Sequence, residues 1–192
     1  MPIPKPEERY TYRDYLTWPD EERWELIDGF AWGMAPSPST EHQRIVFNLA
    51  GILYNALKKK QCIAGIAPVD VYLSEENIVQ PDVFIVCDEA KITEKHIEGA
   101  PDIVFEVTSE STALKDRREK KQLYQHFGVK EYILIDPKGQ YAEQYCLREK
   151  GTYGAGIVYG PRDELVLPRL ESLILPLWDV FGVERNPNDK TV

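Results

Sequence analysis

Two apolar runs flank one amphipathic helix between Ile103 and Asp136, and this segment constrains the fold more than any other. Ile103 to Thr108 reads as a strand. Ser111 or Thr112 can cap the helix that follows, which the pattern extends from about Thr112 to Phe127. Gly128 is placed to end that helix in the left-handed conformation, and Glu131 to Asp136 reads as the next strand. A crossover of this kind returns the second strand parallel to the first.

The flanking segments extend this unit into a mixed α/β chain. Thr11 to Leu16 reads as a short helix, and Trp24 to Met34 as a hairpin turning at Asp28-Gly29. After the loop Pro36-Ser37-Pro38 comes a long helix. Thr40 and Gln43 have capping-box spacing, and Ile45, Val46, Leu49, Leu53 and Leu57 recur at helical period. It runs into Lys58-Lys59-Lys60, which suits the negative end of the helix dipole. Ile63 to Leu73 and Asp82 to Cys87 are strand candidates, the second antiparallel to Ile103 to Thr108. Ala142 to Arg148 and Gly156 to Tyr159 are two more, and Leu173 to Phe181 forms a closing short helix or extended strip. The 192 residues suit a single domain. Its core spans about 23–137, its C-terminal strands and short helix 140–182, and a frayed tail 185–192.

Composition excludes several classes. The N-terminus is polar and has no apolar core of a secretion signal, and no apolar run reaches membrane-spanning length. Cys62, Cys87 and Cys146 never form a CxxC pair, so neither structural zinc nor a disulfide framework is expected and a reducing cytoplasm is the simplest setting. No GxSxG, P-loop or HExxH is present, and the four tryptophans are too scattered to form a base-stacking platform. The net charge of −9 argues against a protein that coats nucleic acid. Positive charge is nevertheless concentrated in Lys115, Arg117, Arg118, Lys120 and Lys121.

Glu106 interrupts the apolar run Ile103-Val107, and a carboxylate there is costly unless a buried cation or a metal meets it. Two Pro-Asp pairs precede strands. If the strands pair antiparallel, Asp82 at the start of one lies beside Glu106 near the end of the other. Asp102 falls at the opposite edge, about 13 Å from Glu106, as a turn or cap residue. Two carboxylates so placed can hold a divalent metal and activate water. Asp116 and Lys120 lie one turn apart on the basic helix, either as a solvent-exposed ion pair or as parts of this site. His42, beside Glu41 in the first turn of the long helix, reads as a helix-start residue or a site residue.

These residues resemble a known group. Trp24-Glu25-Leu26-Ile27-Asp28-Gly29, Gln80-Pro81-Asp82-Val83, Gly99-Ala100-Pro101-Asp102, Glu106-Val107-Thr108-Ser109, Asp116, Lys120, Tyr124 and Gly128-Val129-Lys130-Glu131-Tyr132 occur in order. The chain is similar to the PD-(D/E)XK nuclease superfamily, and within it to a bacterial family of restriction-endonuclease-like proteins. The resemblance implies an α/β fold with a restriction-endonuclease-like core, a mixed central β-sheet flanked by helices. It implies a Mg²⁺- or Mn²⁺-dependent endonuclease acting on DNA, with Asp82 and Glu106 as metal ligands. Thr108 stands where the superfamily carries its lysine. The resemblance implies that Lys120 on the helix takes that role, with Lys115 and Lys121 as alternatives, and it places Glu25 at an acidic position before the core, either completing the site or forming a hairpin salt bridge.

In the mechanism this predicts, the carbonyl of Val107 completes the metal shell. Lys120 orients the attacking water, and Arg117, Arg118 and Lys121 contact flanking phosphates. A homodimer is expected, since cutting both strands is simplest with two sites. Two other readings use the same residues: a catalytically silent nuclease-fold interaction or assembly module, and an RNA or nucleotide phosphodiesterase.

Overall fold

The computed structural model describes residues 4–5, 7–19, 22–34 and 37–185. Its strands in chain order are β1 (Trp24–Ile27), β2 (Phe30–Gly33), β3 (Ile63–Ile66), β4 (Asp70–Ser74), β5 (Asn77–Val79), β6 (Val83–Val86), β7 (His96–Glu98), β8 (Ile103–Val107), β9 (Glu131–Asp136), β10 (Tyr141–Cys146), β11 (Ile157–Tyr159), β12 (Glu164–Leu167) and β13 (Leu173–Pro176). A six-stranded mixed sheet has the order β11-β10-β9-β8-β6-β3. Within it β6 and β8 are antiparallel and β8 and β9 parallel, as the crossover requires. A second sheet has the order β2-β1-β5-β4-β7, and β12 pairs with β13.

The central strands are apolar on both faces because both are covered. On one face Ile45, Leu49 and Leu53 of the long helix Thr40–Leu57 pack against Val83, Ile85, Ile103, Phe105 and Ile133. The short helix Leu177–Phe181 closes the same cluster with Leu177 and Val180. On the other face Phe84, Val104, Tyr132 and Leu134 meet Leu123 and Tyr124 of the crossover helix, together with Val71 and Val79 of the second sheet. Glu106 is two residues on from Val104 and therefore points to this same second face. Trp18 packs with Leu26 and Ile78 in a smaller cluster, as expected for packing tryptophans.

Several sequence expectations are corrected. The long helix is capped by Ser39, whose side chain accepts from the His42 amide, not by the Thr40–Gln43 box. The run Ile63 to Leu73 is two strands in two different sheets, broken at Ala67-Pro68, where proline has no amide to donate to a ladder. Leu173 to Phe181 is both a strand and a helix. The crossover helix, residues 113–127, is α-helical at Ala113–Lys115 and Lys121–Phe127, with a π turn at Asp116–Lys120 between. Gly128 ends it at φ 82°, as expected. Cys62 and Cys87 are joined in a disulfide against the expectation of free thiols: β3 and β6 pair Ile63 with Val86, and the next residue outward on each strand is a cysteine. Cys146 is free. Pro36, and the tail apart from Arg185, lie outside the described residues. None of the described helices is long and apolar enough to cross a membrane.

Gly65 pairs with Phe84 in the β3–β6 ladder, and a Cβ there would run into the Phe84 ring. Gly65→Ala is therefore expected to destabilise the fold by about 1–3 kcal/mol, as overpacking typically does. A urea midpoint lowered at constant m-value checks it.

Candidate functional site

The β6–β8 register pairs Val83 with Phe105, so Asp82 stands opposite Glu106 one residue further on. Both side chains line one cavity of about 620 Å³, whose wall also includes Arg23, His42, Lys120 and Lys138. Asp82 Oδ2 accepts from the Val107 amide at 2.8 Å, and Asp82 Oδ1 lies 3.2 Å from His42 Nε2. The long helix thus delivers its first turn to the same strand end that carries Asp82. Asp102 lies at the far edge, where it accepts from the Cys87 amide and pairs with Arg169.

Glu106 is buried among aromatic and aliphatic side chains, and two donors meet it. Lys120 Nζ donates to Oε1 at 2.9 Å and the Tyr124 hydroxyl donates to the same oxygen at 2.8 Å. Lys120 is itself 3 % exposed. Its ammonium is shared with Glu25 Oε1 at 2.7 Å, and Lys115 Nζ holds Glu25 Oε2 at 2.8 Å. Glu25 also accepts from the Gln80 amide at 3.0 Å. Asp116 is buried beside them, its carbonyl taken by the Tyr132 hydroxyl at 2.9 Å. Asp116 and Lys120 are therefore both buried rather than forming an exposed helix ion pair, and the Lys120 ammonium is taken by Glu25 and Glu106. The π turn carries both residues inward, a geometry often found at functional sites.

The electrostatics follow from burial and charge count. Burial alone would raise the Glu25 carboxyl, but Lys120 and Lys115 together hold it down to about 2. Glu106 goes the other way. Burial pushes it up to about 8, with Asp82, Asp116 and Glu25 adding to the rise and Lys120 alone opposing. Asp116 is also raised, chiefly by burial. Burial works against the charge on Lys120, yet Glu106, Glu25 and Asp116 outweigh it and hold the ammonium well above its ordinary range.

The expected phosphate contacts sit elsewhere. Arg117 is bound to Glu143 at 2.8 Å and to the Tyr141 hydroxyl at 2.7 Å. Lys121 lies 3.7 Å over the Tyr145 ring, and Arg118 is 70 % exposed beside Glu119. None of the three lines the cavity. The sequence reading gave no role to Tyr124 or Arg23. Tyr124 carried a signal, one turn beyond Lys120 on the same helix face. Arg23 carried one too: it shares a strand face with Glu25.

A mixed sheet flanked by helices, with an acid at the start of one central strand and another inside its antiparallel neighbour, defines a restriction-endonuclease-like α/β protein. The chain belongs to the Uma2 family, described as "Putative restriction endonuclease", whose model matches residues 12–177. The fold and family expected from sequence therefore hold. The chain is similar to the uncharacterised protein slr1290 of Synechocystis sp., with 28 % identity over 158 residues, 79 % of this chain and 80 % of that protein. The crystal structure of a putative nuclease belonging to DUF820 from Anabaena variabilis shares the fold, at a TM-score of 0.74 and 20 % identity. That likeness covers 90 % of this chain and 97 % of the other.

Two stability predictions follow from the cluster. Lys120→Met leaves Glu25 and Glu106 buried without their shared cation and is expected to cost about 3–5 kcal/mol. Arg118→Gln, on the surface, is expected to change stability by less than about 0.5 kcal/mol. Urea titrations of the two variants check the contrast. The second prediction concerns pH. The native Glu106 carboxyl keeps its proton up to about 8, whereas an ordinary one loses it near 4.5. Between those limits the native state binds the extra proton, so the metal-free protein is expected to gain stability as pH falls from about 8 to about 5. Glu25, held near 2, contributes above its ordinary value and loses its contribution only in stronger acid. Unfolding in EDTA across this range should show the gain in wild type and a flatter profile in Glu106→Gln.

Proposed function

We propose that this protein is a Mg²⁺- or Mn²⁺-dependent endonuclease that hydrolyses phosphodiester bonds in DNA. The observation that carries the reading is the pairing of Asp82 and Glu106 as opposed residues open to one cavity, with the buried Lys120 on the second of them. Family membership adds to it, since the family's description names restriction endonucleases.

The residues fit a divalent cation on two grounds. The first is donor chemistry. Two carboxylates and the carbonyl of Val107 are hard oxygen donors, which suit Mg²⁺ or Mn²⁺ better than softer metals. Among the described residues no three His, Cys, Asp or Glu side chains are placed to hold a metal together. Mg²⁺ does not need three, because it keeps several waters and is commonly bound through one or two carboxylates. The second ground is charge. Lys115 and Lys120 both hold Glu25, and Lys120 is shared with Glu106, while Asp82, Asp116 and Glu25 all act against ionisation of Glu106; a divalent cation would relieve that repulsion.

A cation bound there would lower the pKa of its water and polarise the phosphate. The protein's own part is positioning. The Val107 amide fixes the Asp82 carboxylate, and the Tyr124 hydroxyl fixes Glu106. Lys120 Nζ sits beside Glu106, where it would orient the attacking water and stabilise charge developing on a phosphate oxygen. Glu25 holds Lys120 from behind and is a positioning residue in this reading. The exposed Arg118 is available for flanking phosphates, and a homodimer supplies one site per strand of duplex DNA.

The test is Mn²⁺ binding by calorimetry on wild type and Asp82→Ala, with nicking of supercoiled DNA by the same samples. Wild type is expected to bind and nick, and the variant to lose binding and at least about 100-fold in rate, the scale of losing a metal ligand or its support. Equal binding and nicking by both samples, or neither by wild type, would overturn the reading.

A further inference from the structure

Arg23 stands apart from the other cations of the cavity. Lys115 and Lys120 are spent on Glu25, and Lys138 pairs with Glu110 at the rim. Arg23 meets no carboxylate among the described residues. Its partner is the neutral side chain of Gln80, whose Oε1 accepts from Arg23 Nε at 3.0 Å and from Nη2 at 2.7 Å.

The Gln80 side chain is fixed in turn. It is 8 % exposed, and its Nε2 donates to Asp70 Oδ1 at 2.8 Å and approaches the Tyr15 hydroxyl at 3.3 Å. Tyr15 donates to the same Asp70 oxygen at 2.9 Å. A carboxylate only accepts, so Asp70 commits the NH₂ of Gln80 to its own side and turns the carbonyl oxygen toward Arg23. The Gln80 amide meanwhile donates to Glu25. A glutamate at position 80 would hold Arg23 equally well but neutralise it. Glutamine orients the guanidinium and leaves its charge intact. One edge of the planar fork is occupied, and the remaining N–H donors stay available to a ligand. That geometry matches the paired oxygens of a phosphate.

We propose that Arg23 is a phosphate-binding residue of this cavity, gripping a backbone phosphate of the DNA without reading its sequence, and that Gln80 is the positioning residue that aims it. This deepens the nuclease reading and rests on it for the identity of the anion. Arg23 leads the strand that carries Glu25, and Gln80 stands two residues before Asp82. The phosphate held by Arg23 therefore lies beside the cluster that would do the chemistry.

The test is fluorescence anisotropy of a labelled DNA duplex with Ca²⁺ present, titrated with wild type, Arg23→Gln, Arg23→Lys and Gln80→Met over a range of salt. Each phosphate contact contributes about 0.9 to the slope of log affinity against log salt. Arg23→Gln is expected to bind about 10-fold more weakly with a slope shallower by about 0.9. Arg23→Lys and Gln80→Met are expected to weaken binding severalfold while keeping the wild-type slope, since charge survives and orientation does not. Arg23→Gln with wild-type affinity, or with weaker binding at an unchanged slope, would overturn the assignment. Wild type that holds no duplex would overturn it together with the DNA reading. A slope loss in Arg23→Gln alongside an Asp82→Ala variant that still nicks would uphold the phosphate contact and sink the metal reading alone.

Discussion

The ammonium of Lys120 is the point on which the rest of this structure turns. It comes from the crossover helix, reaches Glu25 on the smaller sheet, and reaches Glu106 inside the larger one. Three elements distant in sequence therefore share one charge. Removing two carboxylates and an ammonium from water is expensive, and apolar side chains of equal volume would often be at least as stabilising. What the arrangement supplies is uniqueness. Glu25 is satisfied only when β1 lies against the crossover helix in this register, and Glu106 only when the π turn brings Lys120 inward. A slip of one residue in either element would bury an unpaired charge.

The site's position in the fold follows from two connections. The antiparallel step from β6 to β8 sets the start of one strand against the end of the next, which places Asp82 opposite Glu106. The parallel step from β8 to β9 requires a helix between them, and that helix must cross the face to which Glu106 points. Lys120 and Tyr124 are then the residues passing over it. On the opposite face the long helix packs its apolar stripe, and its N-terminal turn brings His42 to Asp82. The cavity is thus the place where two helices and two strand ends converge on a surface that neither helix covers completely.

Much of this was legible in the sequence because it depends on short-range pattern. The strand–helix–strand unit, its stop at Gly128, and the Asp82–Glu106 opposition all follow from periodicity and strand direction. Beyond its β1–β2 hairpin, the second sheet was not legible. Its strands β5 and β7 are three residues each, too short for alternation to register, and β4 was hidden in a continuous apolar run. The disulfide was missed for a related reason, since Cys62 and Cys87 meet only once β3 and β6 pair. Charge partners were the hardest to foresee. Arg117 and Lys121 looked free in a basic run, yet both lie against β10, because the helix face that carries them is the one turned to that strand. The run Lys115 to Lys121 divides into opposite faces, and sequence clustering alone cannot say which cations remain available.

That division bears on how a chain of net charge −9 would meet the polyanion that the proposed function requires. Long-range attraction is absent, so the approach gains nothing from steering and is slowed by repulsion at low salt. On the proposed function, DNA binding would then come from contacts that act within a few ångströms and need little reorganisation. The cavity has this character. Lys115 and Lys120 are already engaged by Glu25, Lys138 pairs with Glu110 at the rim, and the acids of the site would repel phosphate until a cation offsets them. Its one arginine is aimed by a glutamine that leaves the charge unspent. On the proposed reading, a metal and a single pre-oriented guanidinium would confine attraction to the cavity. Phosphate would then be favoured beside Asp82 and Glu106 and disfavoured over much of an acidic surface.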